Sequence, residues 1–170
     1  TRETPRMRLL LLLVLTGSLS AQQEVGKLCQ SCHTEHVADV RAHKHGMKGI
    51  SCEVCHGESQ QHRNAVGATS PDRVAAPDEV PKLCGGCHVE QSKLYAPSAH
   101  GKLVLSSSKT RAANCGTCHG VHAARTAVQM KRQCDRCHAE LPAACKATTE
   151  TAASTLVCAT CHHPHTLAHR

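Results

Sequence analysis

Hydrophobic positions along this 170-residue chain fall into one dense run and many scattered singletons. The run is Leu9 to Leu15, preceded by Met7-Arg8 and followed by Thr16-Gly17-Ser18-Leu19-Ser20-Ala21. A basic start, a short apolar stretch and small residues before a cut near Ala21 read as a cleavable signal peptide, and the run is too short to span a membrane. Residues 1–21 are therefore expected to be removed, with 1–6 preceding the start methionine, leaving 22–170 as the mature protein. Beyond the leader neither hydrophobic period is strong. Glu35 to His45, Val89 to Tyr95 and Ala123 to Lys131 are candidate short helices. Asn64 to Pro81, with Gly67, Ser70, Pro71, Pro77 and Pro81, has no hydrophobic period and predicts an extended connector. Strand alternation is weak throughout, so the expected fold is mainly α-helix and irregular coil with little or no β-sheet.

Composition sharpens this picture. The chain has no Trp, no Phe and one tyrosine, Tyr95, and much of its apolar 40% is alanine, cysteine and the leader. Large aromatics normally supply much of a domain's buried area, so the polypeptide alone cannot build a convincing interior. It carries instead 13 cysteines and 15 histidines.

Twelve of those cysteines stand in six copies of Cys-x-x-Cys-His: Cys29, Cys32 and His33; Cys52, Cys55 and His56; Cys84, Cys87 and His88; Cys115, Cys118 and His119; Cys134, Cys137 and His138; Cys158, Cys161 and His162. Two thiols three positions apart can each form a thioether to a porphyrin vinyl group, and the next imidazole then lies under the iron, so each copy reads as a c-type haem attachment point. Six covalent haems c are expected, with His33, His56, His88, His119, His138 and His162 as proximal ligands. Cys29, Cys32, Cys52 and Cys55 also fit a structural zinc spacing, but zinc does not require a histidine after every second cysteine. A thioredoxin-like reading needs a βαβ context that is absent. With an interior supplied by porphyrins, the apo chain is expected to be largely unfolded.

The formal charge of +7 does not point to nucleic acid. Losing the leader removes three arginines and one glutamate, which leaves +5. Six haems add about twelve propionate charges of opposite sign. The basic side chains are then better read as propionate partners, and no stacking aromatics or basic helix support a nucleic-acid surface.

The motifs repeat in pairs. From His33 to His45-Gly46 is twelve residues, as from His88 to His100-Gly101. Each His-Gly is followed by a Lys-containing linker and a second motif ending Cys-His-Gly, at Gly57 or Gly120, trailed by His62 or His122. Two-haem modules over about 27–76, 82–130 and 132–170 follow. The third lacks the His-Gly: Glu150 stands twelve residues after His138, and the segment before Cys158 holds the odd cysteine, Cys145. Its trailing histidine survives as His165.

Nine histidines lie outside the motifs, enough to close both faces of each iron. Two imidazoles give a closed, low-spin iron suited to electron transfer. Repeat position assigns His45, His62, His100, His122 and His165 as distal ligands. His43, His36, His163 and His169 compete for the sixth place, with His43 favoured by its nearness to a matched His-Gly. Cys145, Met47 and Met130 are chemically possible alternatives. Tyr95 is expected to pack on a porphyrin.

This pattern, covering about residues 27 to 165, resembles the periplasmic decahaem cytochromes of outer-membrane electron conduits and of dimethyl-sulfoxide-reductase-type respiration. It is similar also to the pentahaem electron donor of formate-dependent nitrite reductase. The resemblance implies a small multihaem cytochrome c fold around a stack of closely packed haems, with neighbours alternately parallel and perpendicular and with low-potential irons. It implies a relay between a redox donor and an acceptor, in the periplasm or outside the cell, with an outer-membrane porin complex among the possible partners. Six motifs match neither five nor ten haems, and the missing His-Gly leaves open the ligation of one iron, at Cys134/Cys137 or Cys158/Cys161.

The expected function is therefore an electron carrier and not an enzyme, without an integral membrane span once the leader is cut. A second reading is a subunit of a homo-oligomer, a cytochrome filament or a larger respiratory complex, with a neighbour supplying a histidine. A third is a small oxyanion reductase with one open haem, although nothing resembles the lysine-ligated motif of nitrite reductase.

Overall fold

The computed structural model describes residues 24–138, 140 and 158–170. The expected leader, Cys145 and Glu150 lie outside the described residues. Ten helices are described: α1 Thr34–Ala42, α2 Lys44–Met47, α3 Cys52–His56, α4 Gln60–Asn64, α5 Val80–Gly85, α6 Val89–Tyr95, α7 Ala99–Ser106, α8 Cys115–His119, α9 Ala127–Asp135 and α10 Cys158–Cys161. Beside them only one isolated antiparallel bridge, His162 to His169, pairs extended backbone among the described residues. Among the described residues the protein is helical and coil without a sheet.

Local chemistry sets the helix ends. The helix expected over Val89 to Tyr95 coincides with α6. The one expected from Glu35 to His45 breaks at His43, whose backbone turns extended (φ −81°, ψ 154°) between α1 and α2. The one expected from Ala123 starts later, at Ala127, because Thr126 and Gln129 form a reciprocal capping box that satisfies two of the free N–H groups of the first turn. The helix α8 starts on a comparable box of Asn114 and Thr117, and Asn114 Nδ2 also donates to the Pro77 carbonyl at 3.2 Å.

The chain divides into two compact units, one of residues 24–74 with 122–124, the other of 75–121 with 125–138, 140 and 158–170. In the first, Val25 and Val37 are buried, and Arg41 Nε ties α1 to the Val25 carbonyl at 2.9 Å. In the second, Tyr95 and Val104 are buried, and the Tyr95 hydroxyl donates to the Ala113 carbonyl at 2.9 Å. Burial pushes the Tyr95 phenol up to about 12. The tyrosine thus anchors α6 to the loop before α8 within the polypeptide.

Those four and Pro81 are the buried apolar side chains among the described residues, while Leu28, Val54 and Val121, beside or inside motifs, and Val128 on α9 are more than half exposed. So small a set cannot offset the entropy of ordering this much chain.

One feature of the repeat has a steric cause. A Cβ on Gly46 would drive into the carbonyl of Val40, and one on Gly101 into the carbonyl of Tyr95. In both places the short helix carrying the His-Gly pair packs its glycine against the backbone end of the preceding helix. Gly101→Ala is expected to destabilise the holoprotein by about 1–3 kcal/mol through overpacking against backbone that cannot rotate away. A lowered denaturant midpoint checks this, and an unchanged one would remove the steric account.

Candidate functional site

Each motif closes a single turn. The backbone N–H of His33, His88, His138 and His162 donates to the carbonyl of the first cysteine of its motif, each at 2.9 Å, while His56 and His119 end α3 and α8. The turn carries both thiols and the imidazole on a few residues of chain. None of the twelve motif cysteines is in a disulfide. Among the described residues, no group of three or more His, Cys, Asp or Glu side chains converges as a metal ion would need, so the Cys29/Cys32/Cys52/Cys55 set does not form a zinc cage.

First cysteines meet in pairs. Cys29 lies against Cys52, and with burial pushes the Cys52 thiol up to about 11. Burial with Cys158 nearby does the same for Cys134. A hydrogen bond with the Cys115 thiol brings Cys84 down to about 7 and sends Cys115 up.

The imidazoles carry the most specific geometry. An imidazole nitrogen bonds a transition metal at roughly 2 Å, so two rings on opposite faces of one iron hold their centroids roughly 6 Å apart. Six pairs lie near this distance, and two of them, His33 with His36 at 6.3 Å and His163 with His165 at 6.2 Å, are close neighbours on one run of chain, which leaves four that can stand on opposite faces. His33 faces His62 at 6.0 Å (13° between planes), His56 faces His122 at 6.0 Å (32°), His119 faces His165 at 6.1 Å (18°) and His138 faces His100 at 5.9 Å (30°). Each of these four joins a motif histidine to one outside the motifs, and the two come from different elements.

Burial, with neighbouring imidazoles adding to it, lowers the pKa of His100, His122 and His165 and so favours the neutral form that offers a lone pair. The other ring nitrogen then matters. His56 Nδ1–H donates to the Arg73 carbonyl at 2.9 Å, His62 to Thr69 at 2.6 Å and His162 to Leu167 at 3.1 Å. A carbonyl on Nδ1 fixes the tautomer and leaves Nε2 free to bind a metal. The connector expected to be merely extended therefore supplies two orienting carbonyls. It is clamped in place by Asp72, whose carboxylate accepts from Ser59 N–H at 2.8 Å while Ser59 Oγ accepts from Asp72 N–H at 3.1 Å. No motif marks these residues in the sequence.

The remaining histidines differ. His43 Nδ1 accepts from His45 N–H at 3.0 Å and so caps α2, with the rings 4.6 Å apart. Ser98, at the matching place two residues before His100, caps α7 by accepting from Gly101 N–H at 3.0 Å. His163 Nδ1 accepts from the N–H groups of His165 and Thr166, both at 3.3 Å. An imidazole that accepts at Nδ1 keeps its proton on Nε2. His36 lies 4.6 Å from His122, too close for a metal between the rings. His169 lies 5.4 Å from His162 at 75°. His45 and His88 sit at the starts of α2 and α6, His45 within the helix and His88 at its cap. Met47 is exposed on α2.

The described residues fit haem by the twelve free thiols, the ring separations and the uncovered apolar surface beside the motifs. No described helix is long and apolar enough to cross a membrane. The chain is similar to the multiheme cytochrome MtrA of Shewanella baltica (strain OS185), 26% identical over 160 residues, covering 81% of this chain and 45% of that protein. It thus spans about half the length of that relative. No solved structure matches it. The family model for cytochrome c3 matches residues 44–139, more than half of the chain. With its thiol-histidine turns and facing imidazoles, the chain belongs to the cytochrome c3 family and is a multihaem c-type cytochrome.

Proposed function

We propose that this cytochrome is exported after cleavage near Ala21 and carries six haems c, in three two-haem modules, as an electron relay in the periplasm or outside the cell. When bound, haem supplies a reversible one-electron couple at each iron. The polypeptide attaches it through the twelve motif thiols, presents a motif imidazole to one face and, at five of the irons, a second imidazole to the other. His62, His122, His165 and His100 are the distal ligands opposite His33, His56, His119 and His138, and His45 is kept as a distal ligand on its repeat position. His43 is a helix cap in this reading. The modules are supported by the contacts between first cysteines, Cys29 with Cys52, Cys84 with Cys115 and Cys134 with Cys158.

The single observation that carries the reading is the set of four imidazole pairs between 5.9 and 6.1 Å. A chain that closed its irons for carriage would need that separation between a motif imidazole and a second one from elsewhere in the chain, and all four pairs have that composition. Coulometric titration of the purified holoprotein tests it: six electrons taken up and returned per chain are expected, and fewer would contradict it. The redox partners are a donor and an acceptor protein, and the resemblance of the repeat pattern to conduit cytochromes suggests an outer-membrane porin complex.

The allocation of His43 has its own test. His43→Ser keeps an oxygen acceptor at the cap, and is expected to leave the low-spin spectrum unchanged and stability within about 1 kcal/mol. A new high-spin signal in that variant would return His43 to the ligands.

A further inference from the structure

We infer that the iron held by Cys158, Cys161 and His162 keeps its sixth position open to a small exogenous ligand, a neutral diatomic or a compact anion binding through carbon or nitrogen. The inference rests on the haem reading above and deepens it for this one site.

The residues around His162 form a tight hairpin. His163 N–H donates to the Ala168 carbonyl at 2.9 Å and Arg170 N–H to the Cys161 carbonyl at 2.8 Å, so these two bonds bracket His162 and His169. The two histidines are therefore a directly opposed, non-hydrogen-bonded antiparallel pair. Such a pair sets its α-carbons about 4.5 Å apart with both side chains on the same face. Their rings lie side by side, edge to face at 75°. Two imidazoles that ligate one iron in trans must come from opposite sides of a flat macrocycle. Backbones in direct register leave no passage for that macrocycle, so His169 cannot oppose His162. The bend is fixed further by Leu167, which takes a left-handed φ of 58° and donates its N–H to the His163 carbonyl at 2.8 Å. His162 itself is oriented as a ligand by its Nδ1–H bond to Leu167.

The other imidazoles of the hairpin are committed elsewhere. His165 faces His119 at 6.1 Å. His163 accepts two backbone N–H groups at Nδ1, which keeps its Nε2 protonated. The hairpin builds one side of a haem site and turns its remaining histidines away from the other. In the four facing pairs, by contrast, the second ring comes from a different element.

Carbon monoxide added to the dithionite-reduced holoprotein is the probe, with haem counted on the same sample as the alkaline pyridine complex. One carbon monoxide per six haems is expected. The Cys158→Ala/Cys161→Ala variant should retain five haems and bind none, while His169→Ala should still bind one. Six haems with no carbon monoxide bound would overturn the inference and leave the haem reading intact. Binding gained only in His169→Ala, or only in Cys145→Ala, would overturn it by naming that residue as the sixth ligand. Binding that appears only on dilution would overturn it by assigning the ligand to a second copy. A haem count of five in the wild type, with Cys158 and Cys161 unmodified, would overturn the haem reading at this motif and the inference with it.

Discussion

Replacing His62 with alanine is expected to convert one haem of the holoprotein from low to high spin and to add one carbon monoxide binding site per chain. His62 faces His33 with planes almost parallel, 13° apart at 6.0 Å, and its Nδ1–H bond to Thr69 at 2.6 Å aims Nε2 at the space between them. Alanine leaves the His33 iron with one protein ligand and an accessible face. The nearest replacement, His36, starts on α1 beside His33 at 6.3 Å and on the same run of chain, so it cannot swing to the far side. A five-coordinate ferric haem is high-spin, and its potential rises as the second imidazole is lost. Electron paramagnetic resonance of the oxidised variant, compared with the wild type, reads the change directly. An unaltered spectrum would show that His62 is not a ligand. Equivalent losses are expected for His100, His122 and His165, each assigned to its own motif.

Withholding haem is expected to have the larger effect on structure. A chain produced without cytochrome maturation should give the circular dichroism of a largely disordered polypeptide and no cooperative thermal transition. The reason is quantitative in kind. A buried valine contributes about 1.5–3 kcal/mol, whereas ordering each residue costs about 1–2 kcal/mol of backbone entropy. Val25, Val37, Pro81, Tyr95 and Val104 are the buried apolar set among the described residues. Ten short helices, four to nine residues long, are below the length at which isolated helices persist in water. The exposed ion pairs Lys27–Glu24 and Lys93–Glu90 add little. Thioether-linked macrocycles covering Leu28, Val54, Val121 and Val128 would supply the missing burial. A helical, cooperatively melting apo chain would show that the polypeptide has an interior of its own.

The attachment chemistry was readable from the sequence because it is local. Cys-x-x-Cys-His needs one turn, and one turn is what Cys29 to His33 forms. The absence of a sheet was also legible, since neither Ala-rich nor Pro-rich stretches alternate. Repeat position singled out five outer histidines, of which His62, His100, His122 and His165 face motif rings. Which ring each would face was not legible. His62 trails the second motif and yet faces the first, and His122 trails the fourth and faces the second. That choice is made by packing between segments far apart in sequence, on which spacing is silent. His43 was favoured as a ligand for its nearness to His-Gly, whereas its ring caps α2 and the matching position in the next repeat, Ser98, caps α7. Tyr95 was expected on a porphyrin, and the bond from its hydroxyl to the Ala113 carbonyl was not legible in the sequence. The start of α9 was in the sequence as Thr126-x-x-Gln129, a capping box that weak periodicity at Ala123 obscured.

The account stands on the six turns each holding a porphyrin covalently. Intact-mass spectrometry of the denatured holoprotein, matured by a cytochrome-assembly host, measures this without reference to ligands or potentials. The expected mass is that of residues 22–170 plus six haems, all of them retained in acid and organic solvent. A mass equal to the bare chain, or to the chain with zinc lost on acidification, would contradict it.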